Sequence, residues 1–322
     1  MNAPKQQTEV QGLISEYRSG GLSRREFFQK LAFATGSLLV AQQIMLEEGF
    51  AAHWEAYEWV DQAAQPGQQP QGPPPPTPTE SIAAGEKRKP DTVNAEWVKF
   101  KSGEYEITGY LARPKKSGPL PAIVIIHENR GLTEFVLDMA QRWAAEGLVA
   151  ISVDFLSRSG GTQKFESMQA AGEGIRALNR DGVMEDLHAA VAYLKSRNDV
   201  KKGKIGVTGF CWGGGNTFRF ATLSKEIAFA MPFYGGAPAV ETLEGVNCPI
   251  FGVFAESDER INASLPAAEA KLKELGKSYT QKIYPGTQHA FMNFTSPQRY
   301  NAEQARAAWA DVTAFVKKVV GS

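Results

Sequence analysis

The segment Gly209-Phe210-Cys211-Trp212-Gly213 leaves the chain few ways to fold. It follows an apolar stretch, Lys204 to Thr208, and runs into Gly214-Gly215 and a further apolar stretch. A glycine two residues either side of a nucleophile is what a sharp strand-to-helix turn demands, because side chains at those positions would collide. Cys211 then sits at the N-terminus of a helix, where the exposed N–H groups favour a thiolate. The backbone N–H of Trp212 is placed to receive a developing oxyanion. The alternative is a glycine-rich turn around an inert buried thiol. A phosphate cradle is weaker still, since no Gly-Lys-Ser/Thr follows.

A strand-turn-helix of this kind belongs in an alternating α/β chain, and the rest of the sequence supplies one. Trp97 to Lys101 and Tyr105 to Ala112 flank Ser102-Gly103, a hairpin signal. Further strands are expected at Pro121 to His127, Leu148 to Val153, Ile227 to Phe233, Pro249 to Ala255 and Thr280 to Tyr284. Helices are expected between them, one capped by Thr133 and stopped at Gly147, others over Val183 to Ser196, Pro266 to Leu275 and Ala302 to Val319. Strands apolar along their whole length imply an α/β fold with a mainly parallel sheet of about eight strands, helices covering both faces.

Ligands of such sheets sit outside the carboxyl ends of the strands. There, after Pro249 to Ala255, stands Glu256-Ser257-Asp258-Glu259-Arg260, and after the last strand Pro285-Gly286-Thr287-Gln288-His289. His289 is the candidate base, because His53 lies in the N-terminal tail, His188 within a helix, and His127 ahead of the nucleophile. Asp258 is the candidate orienting acid, with Glu256 and Glu259 as rivals and helix capping as its alternative role. Arg130 and Arg260 lie beside the expected oxyanion and acid loops and could bind a substrate carboxylate, or pair with nearby glutamates.

Residues 1–90 differ in kind. Arg24-Arg25 precedes Phe27-Phe28, Lys30 and the apolar run Leu31 to Ala41, the layout of a twin-arginine export signal. Its cleavage site is poor, Gly49-Phe50-Ala51 being the nearest small-x-small option, and a cytoplasmic amphipathic helix with two arginines is the alternative. Export machinery and a periplasmic or exported location are the corresponding expectations, with cytoplasmic as the other. Pro66 to Pro78 carries seven prolines among thirteen residues, so residues 66–90 are expected to form a disordered linker. Residues 91–322 would form the folded domain.

Composition narrows the function classes. Lys and Arg number 35 against 35 Asp and Glu, a zero net charge that argues against nucleic acid as a partner. No apolar run reaches the roughly 18 to 20 residues of a membrane span. The only cysteines, Cys211 and Cys248, exclude a disulfide framework; Cys248 is expected to be a structural thiol, unbridged. Four histidines leave little for a metal site, and neither metal nor organic cofactor is expected.

Taken together, His127-Glu128-Asn129-Arg130-Gly131, the cysteine elbow, Phe233-Tyr234-Gly235, Asp258 and Tyr284-Pro285-Gly286 with His289 resemble the dienelactone hydrolases (carboxymethylenebutenolidases) of the α/β-hydrolase superfamily. The resemblance implies an α/β-hydrolase fold and a Cys211-Asp258-His289 triad cleaving a small-molecule ester or lactone through a thioester. It implies that Glu128 holds the resting thiol until substrate displaces it, that the N–H of Asn129 joins that of Trp212 in the oxyanion hole, and that Tyr234 contacts substrate. On the residues alone, Glu128 reads as a helix-start carboxylate or a general acid. One departure is plain: family members clamp a substrate carboxylate with an arginine shortly after the histidine, and here no arginine follows until Arg299. A short-chain carboxylesterase is therefore the runner-up, ahead of a non-catalytic binding homologue and a thiol redox enzyme lacking Cys-x-x-Cys.

Overall fold

The computed structural model describes residues 3–19, 22, 27, 30, 31, 34, 35, 76–116 and 118–321. Arg24-Arg25, the Gly49-Phe50-Ala51 option and residues 66–75 of the proline-rich stretch lie outside the described residues. Contacts divide the chain into two compact units, Met1–Pro74 and Pro75–Ser322. In the first, helix α1 (Ala3–Arg18) buries Val10 and Ile14, one turn apart, with Leu22, Phe27 and Leu31. Tyr17 stacks on Phe27 with ring centroids 4.5 Å apart.

The second unit opens with helix α2 (Pro78–Lys87), which corrects the expectation that all of 66–90 is a disordered linker. A capping box starts the helix: the Thr77 hydroxyl accepts the Glu80 N–H, the Glu80 carboxylate accepts the Thr77 N–H at 2.8 Å, and Pro78 fills the first turn. The helix lies so close to α3 (Glu134–Ala145) that a Cβ on Gly85 would stand 2.9 Å from Leu137 Cβ. Gln141 donates to the Gly85 carbonyl at 3.0 Å, and the Ser81 hydroxyl accepts the Glu134 N–H at 2.9 Å. Thus Ser81, and not the expected Thr133, satisfies the start of α3; Thr133 makes no side-chain cap.

Eight strands follow the α/β alternation: β1 (Val93–Ser102), β2 (Tyr105–Pro114), β3 (Leu120–Ile126), β4 (Val149–Val153), β5 (Val200–Phe210), β6 (Phe229–Phe233), β7 (Ile250–Ser257) and β8 (Tyr279–Gln288). They form one sheet in the order β1-β2-β4-β3-β5-β6-β7-β8. Strand β2 runs antiparallel to β1 and β4, and the remaining pairs are parallel. Both faces are covered, which is why β3 reads as continuously apolar: Ile123 and Ile125 face one core with Phe135, Trp143 and Val312, and Val124 and Ile126 face the other with Leu187, Val207 and Phe218. After β4 come two short 3-10 turns (Ser157–Ser159 and Thr162–Lys164) and helix α4 (Met168–Arg176), where no helix was expected. Helix α5 (Arg180–Ser196) leads to β5, and α6 (Trp212–Leu223) leaves it. The order closes with α7 (Glu259–Asn262), α8 (Leu265–Glu274) and α9 (Ala302–Val320). Among the described residues no helix is long and apolar enough to cross a membrane.

Candidate active site

Cys211 stands between the last residue of β5 and the first of α6, with φ 57° and ψ −115°. A non-glycine residue there is strained, and the surrounding glycines show what imposes the strain. A Cβ on Gly209 would lie 2.4 Å from the Gly213 carbonyl oxygen, and one on Gly213 would lie 2.5 Å from that of His127. The turn is therefore pressed onto the end of β3, and only glycine fits either position. Among the described residues two further non-glycine positions take positive φ, Tyr234 (37°) just after β6 and Ala290 (68°) just after His289. All three lie past carboxyl ends of parallel strands.

His289 joins the loops. Its Nδ1 is 2.6 Å from Asp258 Oδ2, and the charge of Cys211 acts on the same ring. Asp258 is the residue before α7, yet its carboxylate makes no cap bond to that helix, and so the histidine takes it. Glu256 and Glu259 are exposed; Glu256 accepts the Gly286 N–H at 2.9 Å, tying down the histidine loop from outside. Burial pulls the His289 pKa down, but negative charge on Cys211 and the Asp258 hydrogen bond outweigh it and raise the pKa to about 10.

Glu128 is buried, with Oε2 2.6 Å from Asn293 Nδ2 and Oε1 3.5 Å from the Tyr234 hydroxyl. Burial raises its pKa against the charges of His289, Arg130 and Arg299 and the Asn293 hydrogen bond. The implied contact between Glu128 and the resting thiol is thus not the arrangement here: Asn293 and Tyr234 hold the carboxylate. Tyr234 is fully buried, its ring 5.1 Å from that of His289, and burial together with Glu128 holds its hydroxyl well above the usual phenol range.

The N–H groups of Asn129 and Trp212 donate to no described group; Trp212 opens α6, whose first N–H groups have no partner in the helix. Arg130 and Arg260 are exposed and make no hydrogen bond or ion pair to a described residue. Cys248 lies just before β7, at the opposite end of the sheet; both thiols are free, and burial pushes that of Cys248 up to about 12.

Sequence reading missed Asn293, Asp154 and Thr162 here, and weighed His127 only as a base. His127 and Asp154 each directly follow an apolar strand, and that signal was available. Asn293 and Thr162 carry none, because their partners lie 165 and 8 residues away, without a repeating spacing.

An eight-stranded sheet of this order, with a cysteine on a glycine-lined turn after β5, an aspartate after β7 and a histidine after β8, is that of a hydrolase of the α/β-hydrolase fold. The sequence model of the dienelactone hydrolase family matches residues 107–320, and the chain belongs to that family. It is 30% identical over 251 residues to the Escherichia coli (strain K12) protein named "Putative carboxymethylenebutenolidase", covering 72% of this chain and 89% of the relative. It is 32% identical over 231 residues to protein usf of Aquifex pyrophilus, covering 69% and 97%. The crystal structure of a dienelactone hydrolase-like promiscuous phosphotriesterase from metagenomic libraries shares the fold, with a TM-score of 0.64 at 18% identity over 71% of this chain and 99% of that one.

Proposed function

We propose that the protein hydrolyses a carboxylic ester or lactone by two-step acyl transfer on Cys211. The observation that carries this is His289 bonded to Asp258 at 2.6 Å, with the charge of Cys211 acting on the same imidazole. Proton transfer from thiol to imidazole makes the nucleophile, and Asp258 steadies the resulting imidazolium. The sulfur attacks the carbonyl carbon, and the Asn129 and Trp212 N–H groups receive the oxyanion. As the tetrahedral intermediate collapses, His289 gives its proton to the departing alkoxide, leaving a thioester. His289 then takes a proton from water, whose oxygen displaces the thiol and releases the acid.

The names of the curated relatives support a lactone substrate. A short-chain carboxylesterase reading rests on a different observation: the buried side chain four residues after His289 is Asn293, neutral and committed to Glu128, and so offers no cation to a substrate carboxylate. Intact-protein mass after rapid mixing with a chromogenic short-chain ester tests the chemistry. An acyl adduct that appears and decays is expected in the wild type and absent in Cys211→Ala, which keeps the fold; near-wild-type turnover in that variant sinks the assignment. The ratio of steady-state rates on the ester and on dienelactone chooses between the two substrates. We also propose export through the Arg24-Arg25 signal, which would put the Cys211 thiol in an oxidising compartment.

A further inference from the structure

We propose that His127 is a positioning residue for hydrolysis: its ring fixes the peptide group whose opposite edge carries the Asn129 oxyanion donor. This rests on the acyl-transfer reading above. The Glu128 carbonyl and the Asn129 N–H belong to one planar trans peptide, so they point in opposite directions. Whatever holds that oxygen therefore aims that N–H. His127 Nδ1 lies 2.7 Å from the Glu128 oxygen, and the Phe155 N–H donates to His127 Nε2 at 3.3 Å. A carbonyl only accepts and an amide N–H only donates, so the two partners require the neutral ring with its proton on Nδ1. A second proton would set N–H against N–H at Phe155. Burial acts in the same sense and lowers the His127 pKa, opposed by the nearby Asp154 carboxylate.

The ring also braces the other donor. It stacks on the Trp212 indole, centroids 5.3 Å apart at 17°, and meets Phe155 edge-on at 5.4 Å. The far end of the same loop has its own anchor. Asp154 accepts from the Thr162 N–H at 2.7 Å and from its hydroxyl at 2.8 Å, and that hydroxyl oxygen accepts the Leu132 N–H at 3.0 Å. Gly131, at φ 79°, passes so close that a Cβ would stand 2.3 Å from the Thr162 hydroxyl. The loop from 128 to 132 is thus pinned at both ends, and His127 is the pin nearest the chemistry.

The test compares the full chain with His127→Leu, His127→Asn and His127→Gln. Asparagine keeps a donor near the place of Nδ1, glutamine keeps an acceptor near that of Nε2, and leucine keeps neither. Three quantities are measured: kcat and KM on a chromogenic acetate ester, the inhibition constant of a trifluoromethyl ketone, and the rate of Cys211 alkylation by iodoacetamide. The ketone's tetrahedral adduct needs the oxyanion hole, and alkylation does not. His127→Leu is expected to lower kcat and weaken the ketone by about a hundredfold to a thousandfold, the cost of one oxyanion donor, with KM and alkylation little changed. His127→Asn should recover most of that loss and His127→Gln should not. A folded His127→Leu that binds the ketone like wild type overturns the proposal, as does one that loses alkylation in equal measure. If leucine does not fold, a glutamine variant that matches or exceeds asparagine overturns it. A wild-type protein that forms no ketone adduct overturns instead the acyl-transfer reading beneath it.

Discussion

His289 is the residue whose chemistry is most changed by folding. An imidazole near 6.5 when unfolded is raised to about 10 by its two partners in spite of burial. Its contribution to stability is therefore complete below about pH 6.5 and is lost as the pH rises through about 10. The gap in Tm between wild type and His289→Gln should shrink steadily across that window. Because the charge on Cys211 is the largest of the raising influences, the NMR titration midpoint of His289 should fall in Cys211→Ala. Cys211 and Asp258 were legible in the sequence because each follows an apolar strand, and His289 because it follows the last strand of the alternation, so that each announces its place on the sheet's rim. Asn293 was not, because its meaning depends on Glu128, a partner 165 residues away. His127 was set aside for preceding the nucleophile in the chain, an argument that disqualifies a catalytic base but not a group that aims a peptide.

At the scale of elements, α2 and α4 were missed for different reasons. The proline run concealed α2, although Thr77-Pro78-Thr79-Glu80 is a capping-box pattern with proline in the first turn. Helix α4 contains Gly172 and Gly174, poor helix formers that this site needs: a Cβ on Gly172 would stand 3.1 Å from the Asn129 carbonyl oxygen, and one on Gly174 would stand 2.7 Å from the Phe165 ring. Local propensity argued against the helix, and tertiary closeness required its glycines. Two consequences concern α2. Ser81→Ala should cost ~1 kcal/mol in denaturant unfolding, since the Glu134 N–H loses its acceptor. A chain begun at Asp91 should melt lower than one begun at Pro75, because without α2 the Leu137 and Gln141 side chains of α3 lose their cover.

Across the whole molecule the two ends of the sheet do different work. The end away from the site is fastened by Asp199, which takes Arg197 in a two-pronged pair at 2.8 and 2.9 Å and Arg113 at 2.8 Å, while its own carbonyl accepts the Leu120 N–H at 2.9 Å. The Arg197 hydrogen bond holds the Asp199 carboxyl below its ordinary range. That stability is present above about pH 4 and is lost as the pH falls through the depressed value. Wild type should therefore be the more stable at pH 7, and its advantage over Asp199→Asn should narrow in acid, read by urea midpoints at each pH. Export belongs to this scale too: a full chain carrying Arg24→Lys with Arg25→Lys should be retained in the cytoplasm, as fractionation would show.

The site end carries Cys211, Tyr234 and Ala290, three side-chain-bearing residues in left-handed backbone. Such residues cost on the order of 1–3 kcal/mol each, a deficit the two cores must cover. A selection for heat tolerance alone, blind to turnover, should therefore drift toward glycine at these three positions. Its survivors would be sturdier proteins with a slack rim, and a breeder of thermostable variants would do well to hold these positions fixed and look for gains at the opposite end of the sheet.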